Sequence, residues 1–211
     1  MFPSITALCQ KYETEFSQIP TKRKRALEQL SSYISNKLTA RLVPQIIIIC
    51  THNSRRSHLG QIWLSVAADY YQLSKIETFS GGTAATAFNP RAVAAMNRIG
   101  FNINNKSATD INPKYEVKWN KIMPPCTVFS KKYNDSANPQ NNFAAIMVCD
   151  EADAACPFVS GNDFRLALPY DDPKAYDDTP LESEKYEERC HQIGREMIFV
   201  IATTLKSNHP K

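Results

Sequence analysis

The sequence predicts an α/β fold, a central parallel β-sheet flanked by helices, with a helical extension at the N-terminus. Three observations carry the prediction. Gln45–Ile49 is a short β-branched run suited to a strand buried on both faces, and Leu59, Ile62, Trp63, Val66 and Tyr70 recur after it at helical spacing. Ile76–Ser80 then reads as a strand and Asn89–Ile99 as a helix, with Gly81-Gly82 as the turn between them. A β-loop-α-β-α order favours parallel strands with helices on both faces, because the crossover between parallel strands needs a helix-length connection.

Residues 1 to about 43 read as helical, broken at Ile19-Pro20-Thr21. Thr21 is placed to cap a second helix that carries Leu27, Leu30, Ile34 and Leu38 on one face. We take 1–43 as an N-terminal helical extension and 44–211 as the α/β domain proper. The basic tetrad Lys22-Arg23-Lys24-Arg25 falls in the first turn of that second helix, where cations oppose the helix dipole, and reads as a solvated face. Further along, Tyr115–Trp119 and Thr127–Ser130 are candidate strands and Tyr133–Asn142 a polar loop. Phe143–Val148 is a buried strand running into Cys149, and Arg165–Leu168 a shorter one ending at Pro169. Thr179-Pro180-Leu181-Glu182 combines an N-cap, a proline at the first helical position and a reciprocal acid, opening a last helix to about Leu205. The Thr127–Asn142 insertion has no physical account at this level.

The chain has 211 residues, 43% hydrophobic and 22% charged, which bounds it to one well-buried domain plus an appendage and argues against disorder. A net charge of +4, with basic residues scattered apart from Lys22-Arg23-Lys24-Arg25, limits the case for nucleic acid, so no nucleic-acid partner is expected and a small anionic substrate fits better. The apolar runs Ile46–Ile49 and Met197–Ala202 are far shorter than the ~20 residues that span a bilayer, so no membrane partner and a cytoplasmic location are expected. The six cysteines, 9, 50, 126, 149, 156 and 190, then read as reduced thiols, which opens catalytic or redox use, with Cys9, Cys126 and Cys190 taken as structural.

The segment Ile46-Ile-Ile-Ile-Cys50-Thr51-His52-Asn53-Ser54-Arg55-Arg56-Ser57 sets a cysteine at a strand end and an arginine six positions later, before a helix. A loop of that size curls into a nest of inward N–H groups, and the following helix adds its positive end. Arg56 supplies a bidentate fork for two oxygens of a phosphate-like group, and the same field favours the thiolate form of a nucleophilic Cys50. Thr51, His52, Asn53, Ser54, Arg55 and Ser57 complete the oxyanion-binding loop: Ser57 is placed to donate to the thiolate, Asn53 to hold a left-handed backbone, and Arg55 either to recruit a larger anionic substrate or to pair with a nearby carboxylate.

This loop resembles that of the low-molecular-weight protein tyrosine phosphatase superfamily, and within it the thioredoxin-coupled arsenate reductases, whose loop runs Cys-Thr-Gly-Asn-Ser-Cys-Arg-Ser. Cys50, Thr51, Asn53, Ser54, Arg56 and Ser57 match it; His52 stands in place of glycine and Arg55 in place of the second cysteine. The resemblance runs on through Ser80-Gly81-Gly82-Thr83, Asn89-Pro90-Arg91-Ala92-Val93, the Val148-Cys149…Cys156-Pro157 segment and Tyr170-Asp171-Asp172-Pro173. A leaving oxygen needs a proton, and both the chemistry and the family's Asp-Pro segment assign Asp172 as general acid, with Asp171 as fallback.

The resemblance implies a cascade. Cys50 attacks arsenate, Cys149 attacks the Cys50 sulfur so that arsenite departs with the electron pair, and Cys156 attacks Cys149 and carries the disulfide to thioredoxin. No tightly bound cofactor is implied, only thioredoxin as external reductant, and no metal. The family's reductases often hold potassium beside the loop through an acidic ligand, a place where this chain has Gln61. Were residues 149–156 helical, the two Cα atoms would stand ~10.5 Å apart, against the roughly 4.4–6.8 Å of a disulfide, so the segment must unwind in turnover. The alternative is a phosphatase that hydrolyses phosphomonoesters through a Cys50 phosphocysteine, and a third reading is a non-catalytic oxyanion-binding module.

Overall fold

In the computed structural model, which describes residues 1–73, 75–107, 109–155 and 158–208, helices α1 (Pro3–Thr14) and α2 (Thr21–Thr39) precede strand β1 (Gln45–Cys50). The chain continues through α3 (Arg56–Tyr70), β2 (Glu77–Gly82), α4 (Pro90–Arg98), β3 (Asn102–Asn105), β4 (Tyr115–Lys118) and β5 (Cys126–Val128). It ends with β6 (Phe143–Met147), α5 (Asp150–Ala155), β7 (Asn162–Ala167) and the long α6 (Glu182–Asn208).

Four strands form a parallel sheet in the order β2-β1-β6-β7, so the central parallel sheet flanked by helices is as the sequence predicts. The isoleucines of β1 are fully buried because the strand lies mid-sheet with helices over both faces. From β1 the chain winds first to β2 on one side and later to β6 on the other. A crevice therefore opens at the C-terminal end of β1, where strand order reverses and α/β sheets bind their ligands.

The N-terminal helices join the same core. Ile5, Cys9, Tyr12, Leu27, Leu30 and Ile34 are buried to 1% exposure or less, and α1 and α2 pack on α6. Tyr12 meets Trp63 of α3 edge-on at 5.5 Å between ring centroids. Gly194 of α6 permits this, since a Cβ there would come within 2.8 Å of Tyr12 and 2.9 Å of Trp63.

Several local expectations are corrected. Gly81 and Gly82 are not a turn; they pair with Ile49 and Cys50 inside β2. Thr21 makes no side-chain cap; Pro20 is the residue before the helix, and the exposed Thr21 leaves the first N–H groups to solvent. The last helix starts at Glu182, after a turn in which the Thr179 hydroxyl accepts the Leu181 N–H (3.3 Å), and the Glu182 carboxylate reaches back to the Asp178 N–H (2.8 Å). The strands at 115 and 126 belong with β3 to a separate antiparallel sheet, β3-β4-β5. The sequence reading missed β3 because Asn102-Ile-Asn-Asn buries one apolar side chain, Ile103, and shows no period. Among the described residues no helix is long and apolar enough to cross a membrane.

Candidate active site

Cys50 is the last residue of β1, its side chain nearly buried, and the chain curls from it to Arg56 at the start of α3. The curl is possible because Asn53 adopts φ 45°, the left-handed region that asparagine tolerates better than most residues. Its side chain then does two things. Nδ2 donates to Ser57 Oγ (2.9 Å), and Oδ1 accepts the Lys131 N–H (2.9 Å). Since an amide nitrogen can only donate, Ser57 Oγ accepts from it and keeps its own proton, which it can donate to a Cys50 thiolate whose Sγ lies 3.1 Å away.

The loop carbonyls face outward and are satisfied there. Thr83 N–H meets the Cys50 carbonyl (3.2 Å), Ala84 N–H the Thr51 carbonyl (2.8 Å), and Ser130 Oγ the His52 carbonyl (3.0 Å). With the carbonyls turned out, the loop's N–H groups are left to the concave side, as an anion nest requires. Ser54 is tied from outside too, its hydroxyl donating to the Ala87 carbonyl (2.7 Å). Gly82 is needed beside this loop: a Cβ would fall 2.7 Å from Asn53 N and 2.9 Å from the Thr51 carbonyl oxygen. The segment at 130–133, unexplained from sequence, is a buttress, holding His52 and Asn53 and bridging to Gly82.

Arg56 donates Nη1 to the Tyr170 carbonyl (2.7 Å) and Nη2 to Asp172 Oδ2 (2.8 Å). Of the two readings of Arg55, the structure has the carboxylate pairing: its guanidinium turns to Asp172, Nε to Oδ1 (2.8 Å) and Nη2 to Oδ2 (3.1 Å). Burial pushes the Asp172 carboxyl up, but the Arg55 hydrogen bond and the Arg56 charge outweigh it and hold the group below the usual carboxylate range. The cleft bounded by Cys50, Thr51, Ser54, Arg55, Arg56 and Asp172 encloses about 10 Å³, room for about one water. Within it Arg56 Nη2 is already taken by Asp172 and Nη1 by the Tyr170 carbonyl. Asp171 is solvent-facing, with a long pair to Arg189 (3.2 Å), and His52 is exposed at the rim.

Cys149 follows β6, one strand over from Cys50, fully buried, with its Sγ 3.4 Å from the Thr51 hydroxyl. Burial pushes its thiol up, against the Thr51 hydrogen bond and the Arg56 charge. Directly after it comes α5, held to β7 by Arg165 on Asp153 (2.5 Å). Cys156 lies outside the described residues. Cys9, Cys126 and Cys190 are the other described free thiols, and burial raises each of them.

Two groups around the site had no signal in the sequence, and a third, Arg23, is turned inward by Glu196 where the sequence reading had a solvated face. Arg23 reaches from α2 to the Pro169 carbonyl (3.1 Å); Lys131 is buried behind Asn53; His58 is buried on α3, its Nδ1 3.2 Å from Ser80 Oγ. Gln61 is buried with its amide donating to the Thr78 carbonyl (3.2 Å), and it brings no negative charge to a cation. Among the described residues no group of three or more His, Cys, Asp or Glu side chains could hold a metal ion.

The fold is that of the low-molecular-weight phosphatases, and the likeness in sequence to arsenate reductases supports a cysteine-based enzyme. A low-molecular-weight phosphotyrosine phosphatase from Vibrio cholerae O395 superposes with a TM-score of 0.52 at 14% identity, covering 79% of this chain and 99% of that one. A YwlE mutant from Bacillus subtilis does so with 0.50 at 13%, covering 75% and 97%. In sequence the chain is similar to arsenate reductases: one from Bacillus cereus (strain Q1) is 27% identical over 129 residues, 61% of this chain and 75% of the relative. Arsenate reductase 2 from Staphylococcus haemolyticus is 26% identical over 129 residues, 61% and 77%. No family model matches.

Proposed function

We propose that the protein reduces arsenate through a thiol cascade that begins at Cys50. The single observation that carries this over simple ester hydrolysis is the second thiol: Cys149 sits at the end of the strand beside β1, its sulfur on the hydroxyl of a loop residue. Phosphatase chemistry needs no such neighbour.

In this reading the Cys50 thiolate, receiving the Ser57 hydrogen bond, attacks arsenate held by the loop N–H groups and the Arg56 fork. An arsenic–oxygen bond breaks, and Asp172 protonates the departing oxygen. Cys149, once deprotonated, attacks Cys50 Sγ; the sulfur–arsenic bond breaks and its electron pair leaves with arsenic, which passes from the pentavalent to the trivalent state as arsenite. A Cys50–Cys149 disulfide remains. Cys156 then displaces Cys50 from Cys149, and thioredoxin, in the cytoplasm, reduces the resulting pair. Since α5 follows Cys149 at once, this last exchange needs the helix to unwind, for helical residues 149 and 156 would be ~10.5 Å apart.

One observation favours phosphomonoester hydrolysis as a second reading. A polar cleft of about 550 Å³ opens beside Asp172, lined by Glu151, Tyr176, Lys185 and Glu188 among others. Arsenate has no leaving group to fill it.

The test couples the purified protein to thioredoxin, thioredoxin reductase and NADPH. Arsenate should drive repeated NADPH oxidation that Cys50→Ser, Cys149→Ser and Cys156→Ser each abolish. Flat NADPH with ester hydrolysis that needs Cys50 and ignores both other cysteines would make the protein a phosphatase.

A further inference from the structure

Arg23 is the one member of the basic tetrad whose guanidinium turns inward to the acid-bearing segment. Its Nε (2.9 Å) and Nη2 (2.8 Å) meet Glu196 Oε2 on α6, Nη1 donates to the Pro169 carbonyl (3.1 Å), and Nη2 to the Leu168 carbonyl (3.4 Å). The guanidinium carbon lies 4.3 Å from the centroid of the Tyr170 ring. Tyr170 in turn donates its hydroxyl to the same Glu196 oxygen (2.6 Å) and offers its carbonyl to Arg56 Nη1 (2.7 Å). Two residues further on stands Asp172.

The segment that carries Asp172 from β7 to the loop is thus held between two arginines, Arg23 from the N-terminal helices and Arg56 from the active-site loop. Both grip it through backbone carbonyls, which fixes its main chain and not merely one side chain. Glu196 is 2% exposed, so a cation beside it is required if it is charged. That pairing also explains why α2 tolerates a cation in its first turn, where the helix dipole disfavours one.

We propose that Arg23 is a positioning residue for this site: it clamps Leu168–Tyr170 so that Arg56 and Asp172 meet the oxyanion in register, and this clamp is what the N-terminal helices contribute to turnover. The inference rests on the roles given to Cys50, Arg56 and Asp172 above. A guanidinium suits the task because its donors diverge in a fixed plane and reach a carboxylate and two carbonyls at once. Lysine keeps the charge toward Glu196 and loses the fork.

The experiment compares Arg23→Ala, Arg23→Lys and, as an exposed control on the same helix, Arg25→Ala, in the full chain. Hydrogen exchange is read at the Leu168 and Tyr170 amides, which donate to the Met147 (2.7 Å) and Val148 (3.2 Å) carbonyls. Turnover is read on phenyl phosphate, whose leaving group needs a proton, and on p-nitrophenyl phosphate, whose leaving group needs it less. Arg23→Ala should speed exchange at both amides and lower phenyl phosphate turnover by about tenfold or more, with a smaller loss on the nitrophenyl ester. Arg23→Lys should fall between it and the unchanged Arg25→Ala. Unaltered exchange overturns the proposal, and so does an equal loss on both esters, which would mark a general loss of stability. An unmutated protein inactive on both esters and on arsenate would sink the roles of Cys50 and Asp172, while exchange would still decide the clamp.

Discussion

Arg55 grips both carboxylate oxygens of Asp172, Nε on Oδ1 at 2.8 Å and Nη2 on Oδ2 at 3.1 Å. Arg55, one of the two residues that depart from the resembled loop, therefore holds the proposed acid. In the proposed mechanism the oxyanion takes Arg56 Nη2 from Asp172, and Arg55 keeps Asp172 at the mouth. The same grip favours the ionised carboxylate, so part of the acid's strength is set by this one side chain.

Replacing Arg55 by glutamine should therefore raise the Asp172 pKa. The acid is competent below its pKa, so the descending limb of kcat/KM should move to higher pH, by about one unit for loss of a close opposite charge. A pH–rate profile from the two proteins checks this; superimposable descending limbs would refute it.

Gly82→Ala should harm activity more than stability. The new methyl group would lie 2.3 Å from the Ala84 carbonyl oxygen as well as against the Asn53 and Thr51 backbone, so the active-site loop must shift. We expect a stability loss of about 1–3 kcal/mol, typical of overpacking, with turnover nearly abolished. Denaturant melts and steady-state rates on one preparation separate the two effects.

His58 should make stability depend on pH. Burial, aided by the Lys131 charge, pushes its imidazole down to about 3 from 6.5. The unfolded chain thus takes up a proton near pH 6.5 that the folded chain refuses until about 3. Stability from this residue is whole above the upper value and falls by about 1.4 kcal/mol per pH unit below it. His58→Leu should flatten that slope in urea melts between pH 4 and 7, about the range this imidazole spans; an unchanged slope would show that other groups carry it.

Leu27→Ala should cost about 2–5 kcal/mol, as for a large-to-small change in a packed core, because Leu27 is fully buried where α2 meets the rest of the protein. A midpoint unchanged in thermal melting would mean that the extension folds and unfolds on its own.

The part of this protein legible in its sequence is the part governed by local chemistry. The β-branched run at 46–49, the helix periodicity after it, and a cysteine and an arginine six apart between them suffice for the parallel sheet and the anion loop, because each rests on residues adjacent in the chain. Asn53 is readable for the same reason: its left-handed backbone is a property of one residue type at one position. Tertiary structure decided what these groups touch. Lys131 against Asn53, Gly82 against Thr51, Cys149 against Thr51 and Arg23 against Pro169 join residues far apart in the chain, and no spacing rule encodes such pairs. Arg55 shows the difference most plainly. Its identity beside Arg56 was visible, yet whether it faced the anion or the acid depended on where the segment after β7 brought Asp172, a position set by the packing of α2 and α6 beneath it.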